Sequence, residues 1–369
     1  MLKKLSVQNV RVLSDVSITP SSGVNLIVGA NASGKTSLLE SIYLLATGGS
    51  FCTKSIRDVI QHEATELNVF AVLDDQSVEI RMGLRRSINR ARDKAHINGD
   101  RISSLSCLAK LFPVSVFNQQ SLLLLEGGPK ERRRYLDWLL FHVEPDYHQY
   151  WLQYNRILKQ RNAAIKQRSY RLVQPWDAEF CLLSEKITRH RQVLSQMLVY
   201  ELSGYMGKWF PDLNPDFYKM SYKNGWPQSL GDTPDEASML STLHQDFEKE
   251  CRAGYTRYGP HKADWGIAYQ NRLMSNFLSR GQKKKFCAAL VLLQVRLLES
   301  HANKKALLLV DDLDAELDED NRSLLVEELI NLDLQVFVSS SRKESTAIWP
   351  RDDTNISMFH VEHGEVNVL

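Results

Sequence analysis

Residues Gly29 to Thr36 read Gly-Ala-Asn-Ala-Ser-Gly-Lys-Thr, and the stretches on either side decide what this octet can be. Before it, Val24 to Val28 form an apolar run suited to a buried parallel strand, and after it Ser37 to Leu45 carry helical apolar spacing. A glycine-rich octet between strand and helix is the position of a P-loop. Glycine at 29 and 34 permits backbone turns closed to residues bearing a Cβ. The amides of Ala30, Asn31, Ala32 and Ser33, together with the helix N-terminus, can then converge on one anion. Lys35 would reach the β- and γ-phosphates of ATP, and the Thr36 hydroxyl would ligate Mg²⁺.

Far downstream, Ala306-Leu307-Leu308-Leu309-Val310 runs into Asp311-Asp312. An unbroken apolar run of this length fits a strand buried on both faces, and ligands of parallel α/β sheets bind at the carboxyl ends of such strands. This reads as a Walker B strand. Asp311 would hold the Mg²⁺, directly or through water, and Asp312 would orient or deprotonate the attacking water. The acids that follow, Asp314, Glu316, Asp318, Glu319 and Asp320, would otherwise make the segment a solvated acidic turn.

Between these two motifs lies Leu278-Ser279-Arg280-Gly281-Gln282, followed by a stretch with an apolar helical face. Ser279 is a good N-cap, so the pentapeptide opens a helix whose amides can face phosphate. Placed before a Walker B strand and after a P-loop, it resembles the signature motif of the ABC-type ATPase superfamily. That resemblance implies that Ser279, Arg280, Gly281 and Gln282 of one subunit complete the ATP site of another, giving an ATP-dependent homodimer. Ala315 to Asp318 look like the superfamily's D-loop.

The opening Leu2 to Arg11, the Ser33 to Ser41 stretch and the presence of both Walker motifs in one chain resemble an SMC-type head rather than a transporter ATPase. Within that group, four blocks are similar to the bacterial RecF family of recombinational repair proteins: Gly127 to Asp137, Tyr258 to Asp264, Leu278 to Gln282, and Asp311-Asp312 with Glu316 to Asp318. The resemblance runs nearly end to end. Arg280, where transporters usually carry glycine, and Asp312, where they carry glutamate, both point to this family. What it implies is a cytoplasmic, slowly hydrolysing ATPase that acts as a switch on DNA. Such a protein works at gaps or junctions between single-stranded and duplex DNA in replication, repair and the SOS response. There, RecO- and RecR-type partners help a recombinase to load.

Two positions depart from the patterns. Gln119-Gln120 stand where the family often has an acidic residue, and Gln120 is what a transporter-type Q-loop offers to Mg²⁺ at a catalytic site. After Gln335 to Val338 no switch histidine follows, only Ser339-Ser340-Ser341, so sensing of the γ-phosphate falls to Ser340 or Ser341.

The expected architecture is an α/β ABC-type P-loop ATPase head with a mixed sheet, plus a mainly helical second lobe. The ATPase lobe should comprise 1–120 and 285–369, and the arm and signature lobe 121–284. From Glu131 to Tyr205 glycine is almost absent and large apolar residues recur at helical spacing; Asp212 to Glu236, rich in Pro, Gly and Asn, reads as loops or a short hairpin. No apolar run is long enough to span a bilayer, so a membrane partner is not expected. The five cysteines are odd in number and scattered, which suits neither a disulfide framework nor a zinc site.

Net charge is only +2, but residues 129–171 hold ten Lys or Arg against four acids, while 311–333 hold ten acids against one base. Arg132, Arg133 and Arg134 are therefore candidate contacts to DNA phosphates. Arg156, Lys159, Arg161, Lys166 and Arg168 form a further set, and Arg85, Arg86, Arg90, Arg92 and Lys94 a second strip. Trp138, Trp151 and Tyr154 read as core or interface residues, and His261 as a structural hydrogen-bonding group between lobes. An ATPase subunit of an ABC-type transporter is the alternative reading, disfavoured by the missing switch histidine and the basic arm. A long SMC-like tether would need a heptad-rich insertion that is not here, and a metabolic P-loop kinase leaves the signature unexplained.

Overall fold

In the computed structural model, which describes residues 1–89, 93–342, 348–350 and 355–369, the P-loop strand Val24–Val28 lies inside a six-stranded sheet, with all five residues buried. Val336–Ser340 and Ile356–Glu362 flank it in parallel, Leu307–Val310 and Val114–Phe117 extend the parallel run, and Glu365–Val368 closes the other edge antiparallel. The sheet is mixed, as expected. Burial on both faces explains why these strands read as continuous apolar runs rather than alternating ones.

The chain divides into two compact units, Met1–Ser121 with Val295–Leu369, and Leu122–Gln294. In the first unit a second six-stranded sheet, wholly antiparallel, is built from Leu2–Val10, Leu13–Ile18 and the strands between Glu66 and Arg101. Its strands alternate buried and exposed positions, so one face is wet. Helix Lys35–Thr47 is covered by both sheets: Leu38, Leu39, Ile42 and Leu45 share one core with Leu5, Val7 and Val69 of the second sheet and with Ile27 and Phe337 of the first. A helix apolar nearly all round can only be stable when enclosed in this way. Gln335 joins the two sheets with its side-chain amide, accepting from Leu2 N at 2.7 Å and donating to Leu2 O and Ser21 O at 2.8 and 2.6 Å.

The second unit is mainly helical, with Pro129–Val143, Tyr147–Ile165 and the forty-residue Tyr170–Trp209 as its long elements. The segment 212–236, expected as loops or a local hairpin, instead yields the strand Tyr218–Lys223, whose partner is the distant Asp264–Tyr269. The expected boundary at 284/285 moves to 294/295. Its cause is visible: Tyr135 donates to Leu290 O at 2.8 Å and Gln294 donates to Tyr135 O at 3.0 Å, so the first half of helix Arg280–Ala302 packs as part of the second unit.

Candidate nucleotide site

Registry within the first sheet assembles the site. Val28 pairs with Ser340, Val338 with Val310, and Val310 with Phe117, so four neighbouring parallel strands end together. Gly29, Ser341, Asp311 and Asn118 are the residues that leave that edge.

The P-loop geometry demands its glycines. A Cβ at Gly29 would lie 2.2 Å from Val361 O, and Gly34 has φ of +121°, a value that side chains rarely tolerate. Ala32 also has positive φ, at 63°. Helix Lys35–Thr47 starts without a side-chain cap, leaving its first amides open toward the loop. The Ser33 hydroxyl is buried with no hydrogen-bond partner. Lys35 is buried, and its ammonium donates to Gly29 O and Ala30 O at 2.8 Å each. Burial lowers the Lys35 pKa, against the pull of Asp312, Asp311 and Asp314.

Facing the loop, Asp311 accepts from Thr36 Oγ1 at 2.9 Å and from Ser339 Oγ at 2.8 Å. Desolvation raises the Asp311 pKa, and the two hydroxyl donors only partly offset it. Asp312 adopts a left-handed φ of 52°, with its amide donating to Ser339 Oγ at 2.8 Å. Its Oδ1 is buried with no hydrogen-bond partner. A buried cation, a carboxyl whose pKa burial raises and two orphaned oxygens around an open helix N-terminus fit a phosphate chain with a divalent cation. Thr36 and Asp311 would hold the Mg²⁺.

The serine triplet is resolved into separate tasks. Ser340 donates to Asp314 Oδ2 at 2.6 Å, and the Ser341 amide reaches the same oxygen at 3.1 Å. The hydroxyl that touches Asp311 belongs to Ser339, which the sequence pattern does not single out. Asp314 also accepts from Arg322 at 2.7 Å, so it links helix Glu319–Asn331 to the end of strand Val336–Ser340. Arg11 and Glu40 form a further pair beneath the loop, with Arg11 Nη2 donating to Glu40 Oε1 at 3.0 Å. Only a carboxylate on the buried face of an apolar helix could have hinted at it. Gln120 is exposed, three residues past Phe117, whose carbonyl accepts from the Asp311 amide.

In the second unit, Ser279 and Gln282 form a reciprocal capping box: Gln282 Oε1 accepts from Ser279 N at 2.9 Å and Ser279 Oγ accepts from Gln282 N at 3.4 Å. Ser279, Arg280, Gly281 and Gln282 are all exposed, and a Cβ added at Gly281 would meet nothing within 4 Å.

With this geometry in place, the comparisons with known proteins are decisive. The family profile described as RecF/RecN/SMC N terminal domain matches residues 1–367. Curated relatives named DNA replication and repair protein RecF, from Shewanella sediminis and Shewanella halifaxensis, are 37% and 39% identical, covering 100% of this chain and 99% and 98% of theirs. The chain belongs to the bacterial RecF family. Two solved structures, described as the recombination mediator protein RecF with ATP and with ATPrS in the RecFOR pathway, match over 100% of the chain at 24% identity. Their TM-scores are 0.87 and 0.85, with 97% and 98% of those chains covered. An SMC head bound to the C-winged helix domain of ScpA matches at 16% identity with a TM-score of 0.59. The fold is therefore that of an ABC-type ATPase head, shared by RecF and SMC proteins.

The cations expected from the charge distribution fall into paired and exposed groups. Arg132 makes a bidentate pair with Asp264, at 2.7 and 2.9 Å, and donates to Gly127 O at 2.7 Å. Arg133 donates to Ala263 O at 2.5 Å, and burial lowers its pKa. Both arginines brace the helical unit from within; Arg134 alone of the three is exposed. Arg161 is fully buried, donating to Asp177 at 2.8 Å, Glu250 at 2.7 Å and Thr256 Oγ1 at 2.8 Å. Arg85 pairs with Glu66, and Arg86 with Asp93, while Arg90 and Arg92 lie outside the described residues. The exposed cations of the set are Arg156, Lys159, Lys166 and Arg168. His261 bonds Tyr154 at 2.6 Å and Thr256 O at 3.1 Å, both inside its own unit, so its role between lobes is not seen. Burial depresses its pKa to about 4, which keeps it neutral.

Proposed function

We propose that this chain binds ATP with Mg²⁺, hydrolyses it slowly, dimerises on ATP and binds DNA. In this reading it serves replication, recombinational repair and the SOS response in the cytoplasm by recognising gaps or junctions and assisting recombinase loading. Its curated relatives carry the name DNA replication and repair protein. The RecFOR pathway named for its structural neighbours suggests RecO- and RecR-type partners. No helix among the described residues is long and apolar enough to cross a membrane.

The observation that carries the ATP reading is the meeting of Thr36 and Asp311 beside Lys35, with Lys35 and Asp311 both displaced by burial toward their neutral forms. That imbalance is relieved by a ligand that is anionic toward Lys35 and cationic toward Asp311. Lys35 then leaves the carbonyls of Gly29 and Ala30 for the β- and γ-phosphates, and the loop amides and helix N-terminus take the remaining phosphate charge. The metal, when bound, draws charge from the phosphate oxygens. Asp312 presents its orphaned Oδ1 as the base or orienting group for water. Aspartate is one methylene shorter than the glutamate of transporters, so turnover is slow and the nucleotide acts as a switch.

The exposed signature supports the dimer. Gly281 has open space where a Cβ would go, so the chain's own packing gives no reason for glycine there. Close approach of a second copy's triphosphate does. Exposed cations on helix Tyr147–Ile165 and the turn after it, Arg156, Lys159, Lys166 and Arg168, supply the DNA backbone contacts. Sedimentation with and without ATP and DNA tests the whole scheme: ATP should shift the protein to a dimer, and DNA should co-sediment better with that dimer. A monomer at saturating ATP would overturn it.

A further inference from the structure

Residues Cys251 to Ala263 contain no carboxylate, yet they carry Arg252, Arg257 and Lys262 around the exposed Tyr255. Tyr255 keeps 48% of its surface open. The loop that presents it is not loose. Gly254 takes a left-handed φ of 78° to end helix Phe247–Ala253, its amide bonded to Glu250 O at 2.8 Å. Thr256 is buried, with its amide and hydroxyl donating to Asn162 Oδ1 at 2.7 and 2.8 Å. The Arg257 amide donates to Glu250 Oε1 at 2.9 Å, while the other oxygen of Glu250 accepts from Arg161 at 2.7 Å.

The backbone on either side of Tyr255 is thus tied to Glu250 and to Asn162, while the Tyr255 ring and the side chains of Arg252, Arg257 and Lys262 are exposed. Burying the three charges of the Arg161–Glu250–Asp177 network is costly, and their replacement by apolar groups is often neutral for stability. What the network provides here is a fixed backbone under one exposed aromatic. Lys262 lies 4.7 Å from the centre of the Tyr255 ring, so a cation already sits at the platform. Arg257 lies 5.6 Å from the neighbouring Tyr258 ring.

We infer that Tyr255, with Arg252, Arg257 and Lys262, is a stacking site for a base of single-stranded DNA. A ring carried on a fixed backbone has only its two side-chain torsions to order when a base stacks on it, and the surrounding cations would neutralise the phosphates on either side of that base. The place also suits the strand to be bound: Cys251 Sγ lies 3.9 Å from Ile165 O, so this loop adjoins the end of helix Tyr147–Ile165, beside Lys166 and Arg168. Duplex backbone on those cations would bring its unpaired continuation to Tyr255, which gives a physical means of sensing a junction. The inference rests on the DNA-binding reading above.

The test uses the full chain with ATP and three labelled probes of equal length, an oligo-dT strand, an abasic strand and a duplex, read by fluorescence anisotropy. Tyr255→Ala should weaken oligo-dT binding about ten-fold, the lower range for loss of one stacked base, and leave the abasic strand and the duplex unchanged. Tyr255→Phe should restore oligo-dT binding to within about two-fold, since stacking needs the ring and not the hydroxyl. Equal affinity of parent and Tyr255→Ala for oligo-dT would overturn the inference, as would an equal loss on the abasic strand or failure of phenylalanine to rescue. Unchanged oligo-dT binding combined with a weakened complex with another protein would reassign the ring to a protein interface. If the parent bound none of the probes while still binding ATP, the DNA-binding reading itself would fall, and this site with it.

Discussion

Thr36 donates its hydroxyl to Asp311 at 2.9 Å, although 275 positions separate them in the chain. The contact joins the end of the P-loop to the end of the Walker B strand, and the partners are those that a divalent cation needs on one side of a triphosphate. Lys35→Met leaves this pair intact but removes the ammonium that would meet the phosphates. ATP affinity should fall by ten-fold or more, on the order of the 1.5–3 kcal/mol that hydrogen bonds to charged groups contribute, and ATP-driven dimerisation should fall with it. Equilibrium binding of a fluorescent ATP analogue checks this. Unchanged affinity would remove the site assignment.

Asp311 predicts a stability effect of definite sign. Its pKa is raised in the folded protein, chiefly by burial. A carboxyl raised in this way weakens the fold wherever its unfolded counterpart is ionised, and the loss fades as pH falls through the raised pKa toward about 4. Asp311→Asn keeps an oxygen for Thr36 and Ser339. The ligand-free variant should therefore melt a few degrees higher than the parent at pH 7. That advantage should shrink steadily toward pH 4, while Mg²⁺-dependent ATP binding is lost. A variant that melts lower at neutral pH would show that the carboxylate is structurally required.

Asp312→Asn preserves the side-chain shape and the hydrogen bond from its backbone amide to Ser339 Oγ but abolishes the base. ATP should bind as in the parent, turnover should drop by about 100-fold or more, and the closed dimer should accumulate. Single-turnover kinetics beside size-exclusion chromatography separate the two effects. Parent-like turnover would rule out Asp312 as the base and leave water orientation as the first role to test, at Gln120.

Much of this site is legible in the sequence because its residues are dictated locally. Gly29, Gly34, Lys35 and Thr36 sit at fixed spacing, and the apolar run Leu307 to Val310 ending in two carboxylates fits a strand buried on both faces. Ser339 escapes a sequence-based reading because a hydroxyl inside an apolar strand gives no sign of which carboxylate it meets. Tyr218–Lys223 alternates Tyr, Met and Tyr with Lys, Ser and Lys, a period of two, but its partner lies more than forty residues away, so no local reading could find the pairing. The arginines mislead for a different reason. Charge counting cannot separate Arg132, which holds Asp264, or Arg161, sealed between Asp177 and Glu250, from Arg156 and Lys159 in solvent. Only the tertiary position of a carboxylate decides whether a cation faces inward.

Ser279→Arg should discriminate between a nucleotide site completed by a second copy and one contained in a single subunit. Ser279 and Gln282 cap each other in the second unit, while Lys35, Thr36 and Asp311 lie in the first. The bulky cation should leave ATP binding by the monomer within about two-fold of the parent and block closure. Loss of the cap costs about 1 kcal/mol of stability, which a protein of this size tolerates. Sedimentation at saturating ATP reads the outcome, and a drop in monomer affinity would contradict completion by a partner.

The salt dependence of DNA binding should distinguish the two groups of arginines. Arg132 and Arg133 grip Asp264 and Ala263 O, so replacing them by alanine should lower the melting temperature, each at a cost of about 1–3 kcal/mol. The slope of log affinity against log salt should stay as it is, because these side chains neutralise no phosphate. Arg156, Lys159, Lys166 and Arg168 are exposed on one helix and its following turn, so their replacement by alanine should leave the melting temperature within about a degree. The same change should flatten the slope by up to about one unit for every phosphate no longer neutralised. Under the proposed closure two such helices would meet one duplex, so the parent's slope should also be steeper with ATP than without it. A quadruple variant with the parent's slope in both states would move the DNA surface off this helix, and a flattened slope in the Arg132→Ala, Arg133→Ala variant with an unchanged melting temperature would return it to the arginine cluster.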